Sequence, residues 1–186
     1  MAPPLKKPPM KFLSKLTLMM FPIFGSAKPM PNTNFELIQD FLPRLAAIES
    51  SGNPNAVGDK GKSLGMYQIS KEAWRDGTDW IRLNVPEYLS IYFEPLGNNY
   101  KKECMDADKA KWIATFYLMY LADRMSKNKH PVNMKTLYMA YNCGYSKAQS
   151  FNFDMTHFAI SDKRRAIFIR AATIIDADLT TPPRKK

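Results

Sequence analysis

A single carboxylate, Glu49, closes the apolar run Leu45-Ala46-Ala47-Ile48, and the turn-forming stretch Ser50-Ser51-Gly52-Asn53-Pro54 follows at once. Leu45 and Glu49 are four residues apart, so on a helix they share a face, with Ala46 and Ile48 beside them. An acid on the apolar side of a helix loses hydration, which disfavours its charged form, raises its pKa and keeps part of it protonated near neutrality. Negative charge at a helix C-terminus is disfavoured too. A carboxylic acid held in that state can deliver a proton to a glycosidic oxygen, which is general-acid chemistry. The plainer alternative is a solvated Glu at a helix end. Asp59, ten positions downstream in Gly58-Asp59-Lys60-Gly61, is a candidate second carboxylate, although that setting equally suits a turn residue bonding its own backbone.

The elements that must position these groups read as helices. Pro43 fits a first helical turn, so a helix from near Leu42 to about Ser51 is expected. Asp108 to Arg124 carries the strongest helical pattern. Trp112, Phe116 and Tyr120 recur every four residues, as do Ile113, Tyr117 and Leu121, and core packing explains that stripe better than a sugar platform. Met134 to Gln149 is a second helix, broken at Gly144, and Asp162 to Ala177 a third, with Ile167, Phe168, Ala171, Ile174 and Ile175 closing a core. Tyr141 and Asn142 offer a ring for a sugar face and an amide for an N-acetyl group. No internal repeat and no run of alternating strands is visible.

One domain with tails is the expectation for 186 residues that are 45% hydrophobic and 12% aromatic. Residues 1–27 read as an export signal, with a basic leader that stays attached as the alternative: Lys6, Lys7, Lys11 and Lys15, then an apolar run from Leu16 to Phe24, then Gly25-Ser26-Ala27. That run is too short to span a bilayer. A linker at 28–33, a catalytic domain at 34–179 and a basic tail at 180–186 complete the division, and the chain is expected to be exported to a periplasmic or extracellular space. The formal charge is +10, and removing the leader with its four lysines would leave +6. Such a balance draws a protein to polyanions: nucleic acid, anionic lipid or an acidic cell-wall polymer. No nucleic-acid motif accompanies the basic runs Lys163-Arg164-Arg165 and Arg184-Lys185-Lys186. Cys104 and Cys143 form no metal pattern; pairing in an oxidising compartment and two free thiols stand as alternatives. His130 and His157 have no ligand-spaced partner, and Asp106 and Asp108 lack a calcium loop's glycine and glutamate. No metal and no cofactor are expected.

Glu49-Ser50 with Asn53-Pro54-Asn55-Ala56-Val57, then Gly65-Met66-Tyr67-Gln68-Ile69, resembles the lytic transglycosylase signature of a catalytic Glu-Ser and a Gly-Leu-Met-Gln segment. Downstream, Ala140-Tyr141-Asn142-Cys143-Gly144 resembles that family's Ala-Tyr-Asn-Ala-Gly box. The three boxes stand in the family's order. The chain departs from the pattern at Met66-Tyr67, at Cys143 and in a loop about one residue longer, and it shares some likeness with goose-type and invertebrate-type lysozymes. The resemblance implies a mainly α, lysozyme-like single domain with a small β-hairpin near residues 58–69. It also implies a groove for peptidoglycan glycan strands, with one wall shaped by the aromatic stretch Trp74 to Tyr100.

By the same resemblance Glu49 is the catalytic acid. Ser50 and Gln68 orient it or the sugar, Gly65 (with Gly61) lets the loop approach the glycan, Met66 and Tyr67 make groove contacts, and Tyr141 and Asn142 line the groove. The implied reaction is lytic cleavage at MurNAc, closing a 1,6-anhydro ring. A lysozyme-type hydrolase, with Asp59 or less readily Asp76 or Asp79 as second carboxylate, and a non-catalytic wall-binding module are the alternatives. Carboxylates about 6.5–9.5 Å apart would mark an inverting hydrolase, and about 5–5.5 Å a retaining one. A monomer is expected, with wall remodelling, a secretion or conjugation apparatus and phage entry as open contexts.

Overall fold

The structure, a computed structural model, describes residues 34–84 and 99–177. The leader, the linker, the basic tail, and Tyr88, Tyr92 and Phe93 of the aromatic stretch lie outside the described residues. The order is α1 (Phe35–Ser50), β1 (Val57–Gly58), a 3-10 turn (Asp59–Gly61), β2 (Ser63–Leu64), β3 (Ile69–Ser70), α2 (Lys71–Asn84), α3 (Tyr100–Cys104), α4 (Ala107–Lys127), α5 (Met134–Cys143), α6 (Tyr145–Ser150) and α7 (Asp162–Asp176). The fold is mainly helical with one small antiparallel sheet, as a lysozyme-like domain requires. The sheet has three strands rather than the expected hairpin, in the order β1-β2-β3. Val57 pairs with Leu64, and Leu64 with Ile69.

Helix α1 begins about two turns earlier than the sequence suggests, and Pro43 lies inside it. A proline there removes a hydrogen bond to the Gln39 carbonyl and costs about 3 kcal/mol. Ile38, Phe41 and Leu42 are fully buried on the early turns, and each such side chain contributes about 1.5–3 kcal/mol by leaving water. Burial therefore outweighs the proline.

Helix α4 is central and buried around most of its circumference, with Ile113, Ala114, Leu118, Leu121 and Met125 at its core. Phe116 is buried as packing predicts, and Trp112 stacks on it at 5.8 Å while staying 38% exposed. Asp106, expected not to be a metal ligand, caps α4 through the amides of Asp108 and Lys109. Asn133 and Thr136 form a reciprocal capping box that starts α5. Helix α2 lies along α4 so closely that a Cβ on Gly77 would come within 3.0 Å of the Tyr117 amide nitrogen. Helix α1 packs against α4, α5 and α7. Arg44 on α1 reaches the carbonyls of Ile174 and Ile175 at 3.0 and 2.9 Å, satisfying the end of α7. Cys104 and Cys143 are both free thiols.

Two glycines of the sheet region differ in what a side chain would meet. Gly61 (φ +86°) has open space around it, whereas a Cβ on Gly65 (φ +74°) would lie 1.8 Å from the Cys104 carbonyl oxygen. Gly61→Ala should therefore cost only the left-handed strain, about 1 kcal/mol. Gly65→Ala should cost several kcal/mol, because backbone must move as well. Thermal melts of the two variants check the difference; equal losses would contradict the close approach at Gly65.

Candidate active site

The C-terminal end of α1 is built to hold Glu49 at a fixed place. Ser51 takes a left-handed conformation, and the amides of Ser51 and Gly52 turn back to the carbonyls of Ala47 and Ala46. Ser50 donates its hydroxyl to the Met66 carbonyl at 2.7 Å. The 65–69 turn is thereby stapled to the helix end, and other residues fasten it elsewhere. Gln68 Nε2 donates to the Gly65 carbonyl at 2.9 Å, Tyr141 donates its hydroxyl to the Tyr67 carbonyl at 2.7 Å, and the Tyr100 hydroxyl lies 2.7 Å from the Ile69 carbonyl. Tyr67 itself is buried.

A cavity of about 780 Å³ opens beside the helix end, with Glu49, Asp59, Gln68, Tyr138, Tyr141 and Asn142 in its lining. The structure thus brings together Glu49, Asp59, Gln68, Tyr141 and Asn142 of the residues singled out in the sequence. Ser50, Gly65, Met66 and Tyr67 stand behind that surface: Gly65 makes its close approach to the Cys104 backbone, and Ser50, Met66 and Tyr67 belong to the fastenings of the turn.

Burial dominates the electrostatics of Glu49 and pushes its pKa from 4.5 to about 7. Its Oε1 is buried without a hydrogen-bond partner, an environment that disfavours a carboxylate. Three neighbours modify the balance. The Tyr138 hydroxyl hydrogen-bonds the carboxyl and lowers the pKa, the Arg170 charge lowers it further, and the Asp59 charge raises it. Tyr138 is fully buried and also accepts from Asn142 Nδ2 at 3.4 Å. Arg170 on α7 donates to the Ile48 carbonyl at 3.0 Å.

Tyr138 and Arg170 were not singled out by the sequence as site residues. Tyr138 could have been found, since it lies three residues before Tyr141 and four before Asn142 on one helix. Arg170 carries no such signal; 121 positions separate it from Glu49 in the chain.

Asp59 sits in the 3-10 turn at φ +46°, exposed, and accepts from the Ser63 hydroxyl at 3.2 Å. Asp76 and Asp79 lie in surface ion pairs with Arg75 and Arg82 on α2. Among the described residues no group of three His, Cys, Asp or Glu could hold a metal ion, and no helix is long and apolar enough to cross a membrane.

The family described as Transglycosylase SLT domain matches residues 30–154, about two thirds of the chain. No curated protein and no solved structure matches it.

The raised pKa of Glu49 has a consequence for stability. The folded chain binds this proton more tightly than the unfolded chain, so the stabilisation is fully present below about pH 4.5 and is lost as pH rises through about 7. Glu49→Gln removes the titration. The variant should be more stable than the parent at pH 8, by on the order of 2 kcal/mol after allowance for partial exposure. The difference should fade towards pH 4.5. Urea denaturation at the two pH values measures it, and a pH-independent difference would mean that Glu49 is not desolvated.

Proposed function

This chain belongs to the transglycosylase SLT domain family of lysozyme-like, peptidoglycan-acting enzymes, and we propose that it is a lytic transglycosylase with Glu49 as its single catalytic acid and base. The observation that carries this reading is one desolvated acid with a pKa of about 7 in the wall of a cavity, facing no second buried carboxylate among the lining residues.

Protonated Glu49 donates to the oxygen joining MurNAc to GlcNAc, and the C1–O bond breaks. The substrate's own acetamido group stabilises the positive centre, so no second protein carboxylate takes part. Glu49 is then a carboxylate, and the Tyr138 hydroxyl and the Arg170 charge favour that form. It accepts the proton of the MurNAc C6 hydroxyl, whose oxygen bonds to C1 and closes the 1,6-anhydro ring. The acid is regenerated and no water is consumed. Tyr141 and Asn142 line the groove beside the reacting sugar, and Ser50, Gly65, Met66 and Tyr67 act through the position of the turn.

A lysozyme-type hydrolase is the second reading, because Asp59 lines the same cavity and its charge reaches Glu49. Exposure and the bond from Ser63 favour the turn role for Asp59 instead. A silent wall-binding module is the least favoured reading, since a desolvated acid has no purpose in one. Export of the chain to the cell wall follows from the same proposal.

Mass spectrometry of the soluble products from purified peptidoglycan separates the readings. Anhydro-muropeptides that vanish with Glu49→Gln are expected; Glu49-dependent reducing-end products would make the chain a hydrolase, and cleavage by Glu49→Gln would remove Glu49 from the mechanism.

Because the acid must be protonated in the free enzyme, kcat/KM should fall tenfold per pH unit above about 7. Arg170→Gln should move that inflection to higher pH and Asp59→Asn to lower pH, each in the direction set by the lost charge. Initial rates across pH 5–9 on soluble glycan strands measure the inflections. Shifts of the opposite sign would overturn the assigned electrostatics.

A further inference from the structure

The cavity that holds Glu49 has two chemically different walls. On the side of the sheet and α2 its charged lining residues are acids, Asp59 and Glu72. On the side of α6 and α7 they are cations, Lys147, Lys163, Arg164 and Arg170. Arg170 is engaged with the Ile48 carbonyl. The other three form no ion pair among the described residues: Lys147 lies over the Phe151 ring at 5.0 Å, and Arg164 hydrogen-bonds the Cys143 thiol. Lys163 and Arg164 also lie beyond residue 154, where the family match ends. Neutral sugar hydroxyls do not call for three cations on one wall that have no ion-pair partner among the described residues. An anion does: Arg164 is half-buried and can make a charge-assisted hydrogen bond, while the exposed Lys147 and Lys163 add salt-screened point charges.

We propose that Lys147, Lys163 and Arg164 form a carboxylate-binding subsite for the stem peptide carried by the MurNAc residue at the cleavage point. The inference rests on the reading of the cavity as a peptidoglycan groove. The stem peptide is the anion covalently attached to the reacting sugar, so its carboxylates are delivered to the cavity wall by the same binding event that presents the glycosidic bond to Glu49. Guanidinium and ammonium groups suit this task differently. Arg164 can clamp one carboxylate through two N–H donors, whereas the lysines supply point charges that tolerate several stem lengths. The subsite makes the chain prefer peptide-bearing glycan over bare glycan.

Binding is the test, in a Glu49→Gln background so that the ligands stay intact. Three soluble ligands are compared by calorimetry at low and high salt: glycan strands with native stem peptides, the same strands with stem carboxyls chemically amidated, and strands stripped of peptide by an amidase whose newly freed lactyl carboxyls are then amidated too. None carries a phosphate polymer, so only carboxylates can supply an anionic signal. Native strands should bind roughly tenfold more tightly than the other two, the scale expected for a few partly exposed charge contacts. That advantage should disappear at high salt and when Lys147→Gln, Lys163→Gln and Arg164→Gln are combined. Equal binding of native and amidated strands, or an advantage that survives the three substitutions, would overturn the subsite while leaving the role of Glu49 untouched. Binding of none of the three strands would overturn the glycan groove itself, and the subsite with it.

Discussion

Desolvation of the Glu49 carboxyl pulls its pKa up to about 7 against the lowering influence of Tyr138 and Arg170, and the chemistry of the cavity depends on that competition. Too much burial would leave an acid that cannot ionise to finish a reaction. Too much positive charge would leave a carboxylate that cannot start one. Near 7 both forms are accessible at neutral pH, which suits a group that gives and then takes a proton. The position at the C-terminal end of α1 acts in the same direction as burial, because helix polarity disfavours negative charge there. The end is closed by a left-handed Ser51, and the last turn of α1 carries no cationic side chain of its own.

A carboxyl so balanced tolerates little movement, and the 65–69 turn is bonded to the helix end that carries it. The structure answers with backbone carbonyls. Those of Met66, Tyr67 and Ile69 are each engaged by a side-chain hydroxyl from a different helix, α1, α5 and α3. Each such bond is worth only about 1 kcal/mol net, but together they fix the turn from three directions. Gly65 completes the arrangement by letting the turn touch the Cys104 backbone. Positioning the acid is thus shared by Ser50, Tyr100 and Gly65, which do not line the cavity, and by Tyr141, which does.

The sequence made the chemistry more legible than the supports. Glu49 stands out because an acid at the end of an apolar run is locally inconsistent, and such inconsistencies collect at functional sites. The break at Gly144 and the core role of Phe116 were readable from local pattern in the same way. The start of α1 was not, because Pro43 is a local signal overruled by the distant burial of Ile38 and Phe41. Ser50, Met66 and Tyr67 read as substrate contacts because a motif fixes residue identity without saying whether a side chain faces the groove or the scaffold. Arg170 was invisible for a deeper reason: its partner is a backbone carbonyl, which every residue has, so no pairing of residue types announces the contact.

That choice of partner is itself informative. A guanidinium paired directly with Glu49 would lower the pKa by about 1–3 units and return the group to carboxylate at neutrality. Arg170 is held instead on the Ile48 carbonyl, one residue away, and its charge reaches Glu49 only as a weaker field. The hydrogen bond therefore does two things with one side chain. It ties the middle of α7 to the end of α1, while Arg44 from the middle of α1 ties the C-terminal end of α7, and it keeps the cation from neutralising the acid. Helix α7 lies beyond the region matched to the family, so the fine setting of this acid depends on a part of the chain that the motif boxes do not include. The matched region thus carries the proposed acid, its burial and Tyr138, while one of the smaller influences on the acid's pKa comes from a helix outside that region.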